Sequence, residues 1–168
     1  ILYKKEKKEN LKKIVEFHNA NDGMSRFDKI AYINKEILKK NFKKKEINKY
    51  ILRFNKISSK LLLKSQYIPG VVNFMRKYHK TKYLIINSAA PTYEIEDFIK
   101  KKIINKFIKK IYGSPSTKFY NFNKIFKINK NIKISELIFF GDSLSDYMCA
   151  KTFKIDFIGI NYDKLNKL

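Results

Sequence analysis

Leu137-Ile138-Phe139-Phe140-Gly141-Asp142-Ser143-Leu144-Ser145-Asp146 is the stretch on which the fold turns. Four consecutive apolar residues bounded by a glycine suit a short strand buried on both faces. Gly141 permits a tight exit, and Asp142 stands at the strand tip. A helix near 143–153 then sets Asp146 one turn beyond Asp142 and on the same side. Two carboxylates converging from such a turn make a hard-oxygen site for Mg²⁺. An N-capping aspartate beside a surface aspartate is the plainer alternative, and the strand context favours the metal.

The same rhythm continues on both sides of this stretch. Leu84–Ile86 is a short apolar run followed by an amphipathic segment near Tyr93–Lys102, and Asp156–Ile160 is another run after the 143–153 helix. Apolar runs separated by helices belong to a parallel sheet in an α/β domain. Upstream of Pro69-Gly70 nothing alternates like a strand. Leu11, Ile14, Val15 and His18 keep helical spacing, as do Ile30, Ile33, Ile37 and Leu38, and then Ile47, Tyr50, Ile51, Phe54, Ile57 and Leu61. Asn21-Asp22-Gly23 reads as a turn between the first two helices, and Ser25-x-x-Asp28 resembles a capping box. The expected organisation is a helical insert of residues 1–66 on an α/β core of 67–168.

In open α/β sheets the chemistry lies beyond the carboxyl ends of the strands. Two more polar clusters fall at such places. Ser88-Ala89-Ala90-Pro91 follows the run Leu84–Ile86, so the Ser88 hydroxyl and the next backbone N–H groups face a ligand, with a helix N-terminus close behind. Gly113-Ser114-Pro115-Ser116-Thr117-Lys118 opens the helix through Phe119, Phe122 and Phe126. A lysine at a helix start opposes the dipole unless an anion or carboxylate balances it. Alone, the first is more simply a capping serine, and the second is one more lysine in a lysine-rich chain.

The net charge of +23 would ordinarily suggest nucleic acid. The chain has 35 lysines against three arginines, Arg26, Arg53 and Arg76, whereas nucleic-acid interfaces favour the arginine fork. With 25 isoleucines and 16 asparagines beside them, the lysines read as compositional drift onto solvated faces, so no specific nucleic acid is expected. The apolar runs are too short for a bilayer, and no signal segment opens the sequence. Cys149 is the single cysteine, which excludes an internal disulfide and suits a reducing compartment, with the cytoplasm as the default. Cys149 itself is expected to be buried rather than reactive, and His18 packed on its helix rather than catalytic.

Together the clusters resemble the haloacid dehalogenase-like hydrolase superfamily, in particular its phosphoglycolate phosphatase-like branch with a helical cap. Ser88 fits that family's second motif, Lys118 its third, and Gly141-Asp142-Ser143-x-x-Asp146 its fourth. The resemblance covers the whole chain, the helical first third matching the cap. It departs where Ser88 is followed by Ala89-Ala90 instead of Gly or Asn. It departs more in that no Asp-x-Asp preceded by an apolar strand is present, Asp22, Asp28 and Asp97 lying in helical or turn contexts.

The resemblance implies a Rossmann-like core without its first strand, carrying an inserted all-helical cap, in an N-terminally truncated chain. It also implies a Mg²⁺-dependent phosphatase acting on a small phosphorylated metabolite through an aspartyl-phosphate intermediate. Ser88, Lys118, Asp142 and Asp146 would be catalytic; Asp142 and Asp146 would hold the metal; Ser88, Ala89 and Lys118 would bind the phosphoryl oxygens. In Gly23-Met24-Ser25-Arg26, the cap turn expected to reach the core, Arg26 would meet a substrate carboxylate or second phosphate. A mutase, a phosphonate hydrolase, a dehalogenase (which would not need the acidic pair) and a catalytically dead basic nucleic-acid-binding protein are the competing expectations.

Overall fold

The structure is a computed structural model and describes residues 2–21, 24–129 and 131–160. Asp22 and Gly23 of the expected turn, and positions 161–168 of the expected core, lie outside the described residues. The first third is helical: α1 (Lys8–Ala20), α2 (Arg26–Tyr32), a π-helical turn over Ile33–Ile37, and α3 (Lys44–Lys64). Ser25 caps α2, its Oγ accepting from the Asp28 N–H at 3.2 Å. These helices share their own apolar cluster, in which Tyr3, Ile14 and Ile33 are buried and Leu11, Phe17, Ile37, Leu38 and Tyr50 pack around them. Spacing overstated the buried face of α1. Ile14 is buried, but Val15 is 55 % exposed, and His18 is also exposed, with Lys29 Nζ 3.5 Å from its Nδ1.

Gly70, at φ +82°, turns the chain into α4 (Val71–Tyr78), a backbone conformation that residues with a Cβ rarely adopt. Strand and helix then alternate: β1 (Ile85–Pro91), α5 (Thr92–Lys101), β2 (Lys110–Ser114), α6 (Lys118–Ile128), β3 (Ile138–Gly141), α7 (Leu144–Phe153) and β4 (Asp156–Gly159). All pairing is parallel, as the intervening helices require. Ile85, Ile86 and Asn87 face Lys110, Ile111 and Tyr112; Ile138 to Gly141 face Asp156 to Gly159. β2 escaped the sequence reading because Gly113 interrupts it and it holds only two apolar residues, Ile111 and Tyr112.

The strands form two pairs, β1 with β2 and β3 with β4. Both pairs nevertheless contribute to one core. Tyr112, Phe122, Ile125, Cys149, Ala150 and Ile155 are buried together, with Ile85, Phe139 and Phe157 against them. A second cluster, Met75, Ile95, Ile99, Ile104 and Phe107, packs α4 and α5 on Leu84, Ile86 and Ile111. Ile138 and Phe140 correct the expectation of a strand buried on both faces. Helices α6 and α7 cover the Phe139 side, while Ile138 is 55 % and Phe140 40 % exposed. On that open side Phe74 of α4 meets Phe140, edge to face, with ring centroids 5.3 Å apart.

Candidate active site

β1 does not stop before Ser88 but continues to Pro91, with its pairing interrupted. Asn87 faces Tyr112 and Pro91 faces Ser114, so three residues, Ser88 to Ala90, bulge opposite Gly113 alone. The Ser88 Oγ accepts from the Ala90 N–H at 3.1 Å, which pins the bulge and leaves the hydroxyl proton free to donate outward. Gly113 is required by the close approach. A Cβ there would lie 2.5 Å from the Ala90 carbonyl oxygen and 2.6 Å from the Thr92 nitrogen.

Lys118 is the first residue of α6, whose N-cap Thr117 accepts from the Tyr120 N–H. The balancing carboxylate is Asp146, with Lys118 Nζ 2.5 Å from its Oδ1. Their side chains retain only 15 % and 6 % exposure, so a partly desolvated pair is made between α6 and α7. Asp146 Oδ2 accepts from the Ser143 hydroxyl at 2.6 Å and the Ser143 N–H at 3.2 Å, and the Ser143 Oγ in turn caps the Asp146 N–H. Ser145 Oγ lies 3.4 Å from Lys118 Nζ and 2.8 Å from Ser143 Oγ. Both Asp146 oxygens are therefore committed to protein donors. Gly141 makes room for this carboxyl, since a Cβ at 141 would fall 2.7 Å from Asp146 Cγ and 2.9 Å from Oδ2.

Asp142, between β3 and α7, is exposed. Mg²⁺ takes one or two carboxylates and completes its shell with water and substrate phosphate, so the donor chemistry of Asp142 fits it. Asp146 instead faces Lys118 and Ser143. Among the described residues no group of three His, Cys, Asp or Glu side chains converges as a protein-only cage. Cys149 sits fully buried behind Asp146, and burial pushes its thiol up to about 11, which keeps it inert at neutral pH.

Arg26 has a different partner from the substrate anion expected of it. Its Nη1 donates to Glu94 at 2.6 and 2.5 Å and to Asn55 at 2.8 Å, and its guanidinium lies 4.8 Å from the Phe54 ring centroid. Glu94 is on α5, so this group ties α2 and α3 to the helix that follows the Ser88 bulge. Sequence reasoning also passed over Asn87 and Asn121. Asn87 donates to the Lys118 carbonyl at 3.1 Å, and Asn121 donates to Asn87 Oδ1 at 3.0 Å. The signal available was an amide at the end of an apolar run and another at helical spacing from Lys118 and Ile125.

The family pattern for haloacid dehalogenase-like hydrolases matches residues 4–160. The chain belongs to that family. It is accordingly an enzyme of hydrolase type. Among solved structures, this haloacid dehalogenase-like hydrolase is similar to a candidate phosphatase from Clostridium difficile, at 20 % identity and TM-score 0.62, over 86 % of this chain and 67 % of that one. It is also similar to a haloacid dehalogenase-like hydrolase from Streptococcus pneumoniae, at 17 % identity and TM-score 0.60, over 82 % of this chain and 68 % of that one. Both likenesses establish the fold, a Rossmann-like α/β core with helical additions. No curated protein matches the sequence. Among the described residues no helix is long and apolar enough to cross a membrane.

Proposed function

We propose that this haloacid dehalogenase-like hydrolase is a phosphatase that removes the phosphoryl group from a small phosphorylated metabolite. The observation carrying this reading is the Lys118–Asp146 pair, which fixes an ammonium by its short contact with a buried carboxylate. Phosphoryl transfer is mainly positioning and charge neutralisation, and this arrangement supplies both. Lys118 retains a donor beyond Asp146 and Ser145 and neutralises the phosphate. The Ser88 hydroxyl donates to a phosphoryl oxygen, and the Ala89 N–H at the same bulge offers a second donor. Hydrolases of this family generally use Mg²⁺. Asp142 would hold it, with Asp146 acting on the site through Lys118 and Ser143. When bound, the ion offsets the repulsion between phosphate and an attacking carboxylate.

In this reading the attacking carboxylate would be that of the Asp-x-Asp strand implied by the family pattern, and the phosphoryl group would pass through an aspartyl phosphate, an acyl phosphate that water then hydrolyses. The division of the strands supports such a placement, because β1 and β3 flank one core without pairing to each other. The cap helices α1 to α3 would screen the site and select the metabolite. Cytoplasmic placement and the absence of a specific nucleic-acid partner belong to the same reading. A protein that carries these residues together with the Asp-x-Asp strand should hydrolyse an aryl phosphate with Mg²⁺ and lose turnover with a chelator. Asp142→Asn and Lys118→Met should each lower the rate at least ~10²-fold. Unchanged turnover in either variant, or full activity without divalent metal, would refute the assignment.

A further inference from the structure

We infer that Asn87 and Asn121 are positioning residues that set where the Lys118 ammonium lies. A buried amide paired with a half-buried one needs a reason, since burying an amide without full pairing is costly. Asn121 is 2 % exposed and is one of the three buried residues of α6, with Phe122 and Ile125. Asn87 stands in β1, one residue before Ser88. Asn121 Nδ2 donates to Asn87 Oδ1 at 3.0 Å, and Asn87 Nδ2 donates to the Lys118 backbone carbonyl at 3.1 Å. Both bonds span more than thirty residues of sequence, so neither is a local helix cap.

The consequence is geometric. Lys118 is a long, flexible side chain whose tip position depends on where its own backbone is held. Its carbonyl is anchored to β1 by Asn87, Asn87 is held by Asn121 one turn further along α6, and its Nζ is held by Asp146 of α7. The amide pair therefore locks the first turn of α6 to the strand bearing Ser88. The distance from the Ser88 bulge to the Lys118 backbone is thereby fixed independently of Asp146, which then sets the ammonium from that anchored origin. The meaning of this for turnover rests on the phosphatase reading; the positioning itself does not.

Amine-directed labelling followed by mass spectrometry measures the reactivity of Lys118 in the whole protein, with Lys101, paired with Asp97 on α5, as internal reference. In wild type Lys118 should label slowly. In Asn121→Leu it should label faster relative to Lys101 by about tenfold, as expected when a net hydrogen-bond contribution to ordering is lost. Should Asn121→Leu fail to fold, Asn87→Val/Asn121→Leu removes both partners together, a change that is close to neutral for stability. An amide pair serving packing alone would leave the Lys118 to Lys101 ratio at its wild-type value, and that result overturns the inference. If the ratio rises while Lys118→Met keeps full turnover, the positioning stands and the phosphatase reading falls. If Lys118→Met abolishes turnover while the ratio stays constant, the reverse holds.

Discussion

Gly141 and Asp146 are coupled by space: the missing side chain of the first is the volume that the carboxyl of the second occupies. A Cβ on Gly141 would sit 2.7 Å from Asp146 Cγ, inside van der Waals contact. The Gly-Asp-x-x-x-Asp pattern thus has a packing cause as well as a chemical one. Gly141→Ala should cost about 1–3 kcal/mol, as overpacking of a filled site does. Its cost should fall in part when combined with Asp146→Ala, which removes the clashing Cγ and Oδ2 but keeps the Asp146 Cβ, the nearest atom of all. Urea midpoints of the two single variants and the double variant measure this, and simple additivity would show that the clash is relieved elsewhere.

Lys118 and Asp146 are mostly desolvated, so removing one should hurt more than removing both. Lys118→Met leaves a buried carboxylate held only by Ser143, and Asp146→Asn leaves a buried ammonium. Loss of one partner of a buried pair costs about 3–5 kcal/mol, and the residual exposure of Lys118 places this case near the lower figure. The double variant Lys118→Met/Asp146→Leu should be more stable than either single one. A loss in the double variant equal to the sum of the two single losses, by urea unfolding, would mean that the pair is energetically independent.

Much of this architecture was legible because periodicity survives in a lysine-rich chain. The three N-terminal helices, the α5, α6 and α7 segments and the strand through Phe139 follow from apolar spacing alone. β2 was not legible, since a strand of five residues with an internal glycine has no period to detect. The Ser88 bulge was not legible either: nothing in Asn-Ser-Ala-Ala-Pro announces that three residues will face one. At the site, residue types indicated Lys118 and Asp146, but their mutual partnership is a tertiary fact. Arg26 is a further tertiary fact. A rare arginine in a turn suggested a ligand contact, and its pairing with Glu94 across the cap-to-core approach could not be read from sequence.

That Arg26–Glu94 pair predicts a mechanical link between the helical cap and α5. Glu94 keeps 9 % side-chain exposure, and Arg26 20 %, so solvent screening is limited. Double-mutant analysis with Arg26→Met and Glu94→Gln should give a coupling of about 1–3 kcal/mol, the range for contacting residues in one network. Hydrogen exchange should also quicken at the N-terminal turns of α2 and α5 in Arg26→Met. A coupling indistinguishable from zero would assign the attachment to apolar contacts alone.

The last prediction concerns alkaline pH and the cap cluster. Tyr3 is 8 % exposed, stacks on Tyr50 with ring centroids 5.5 Å apart, and receives the Asn34 Nδ2 at 3.0 Å. Burial is the main cause that raises its phenol to about 12, from an ordinary value of 10.0. A group whose folded pKa is raised gives stability that is complete below its unfolded pKa and is lost as pH climbs through the folded one. The cap should therefore weaken between pH 10 and 12, by on the order of 1–2 kcal/mol. The general loss of positive charge at alkaline pH relieves repulsion in a chain of net charge +23, which works the other way. Comparison with Tyr3→Phe separates the two effects. That variant should be less stable at neutral pH by about 1 kcal/mol, through the lost Asn34 bond, yet nearly flat from pH 10 to 12 relative to wild type. Stability curves for the two proteins that run parallel across that window would show that Tyr3 ionises without cost and that the cap is open to water at this residue.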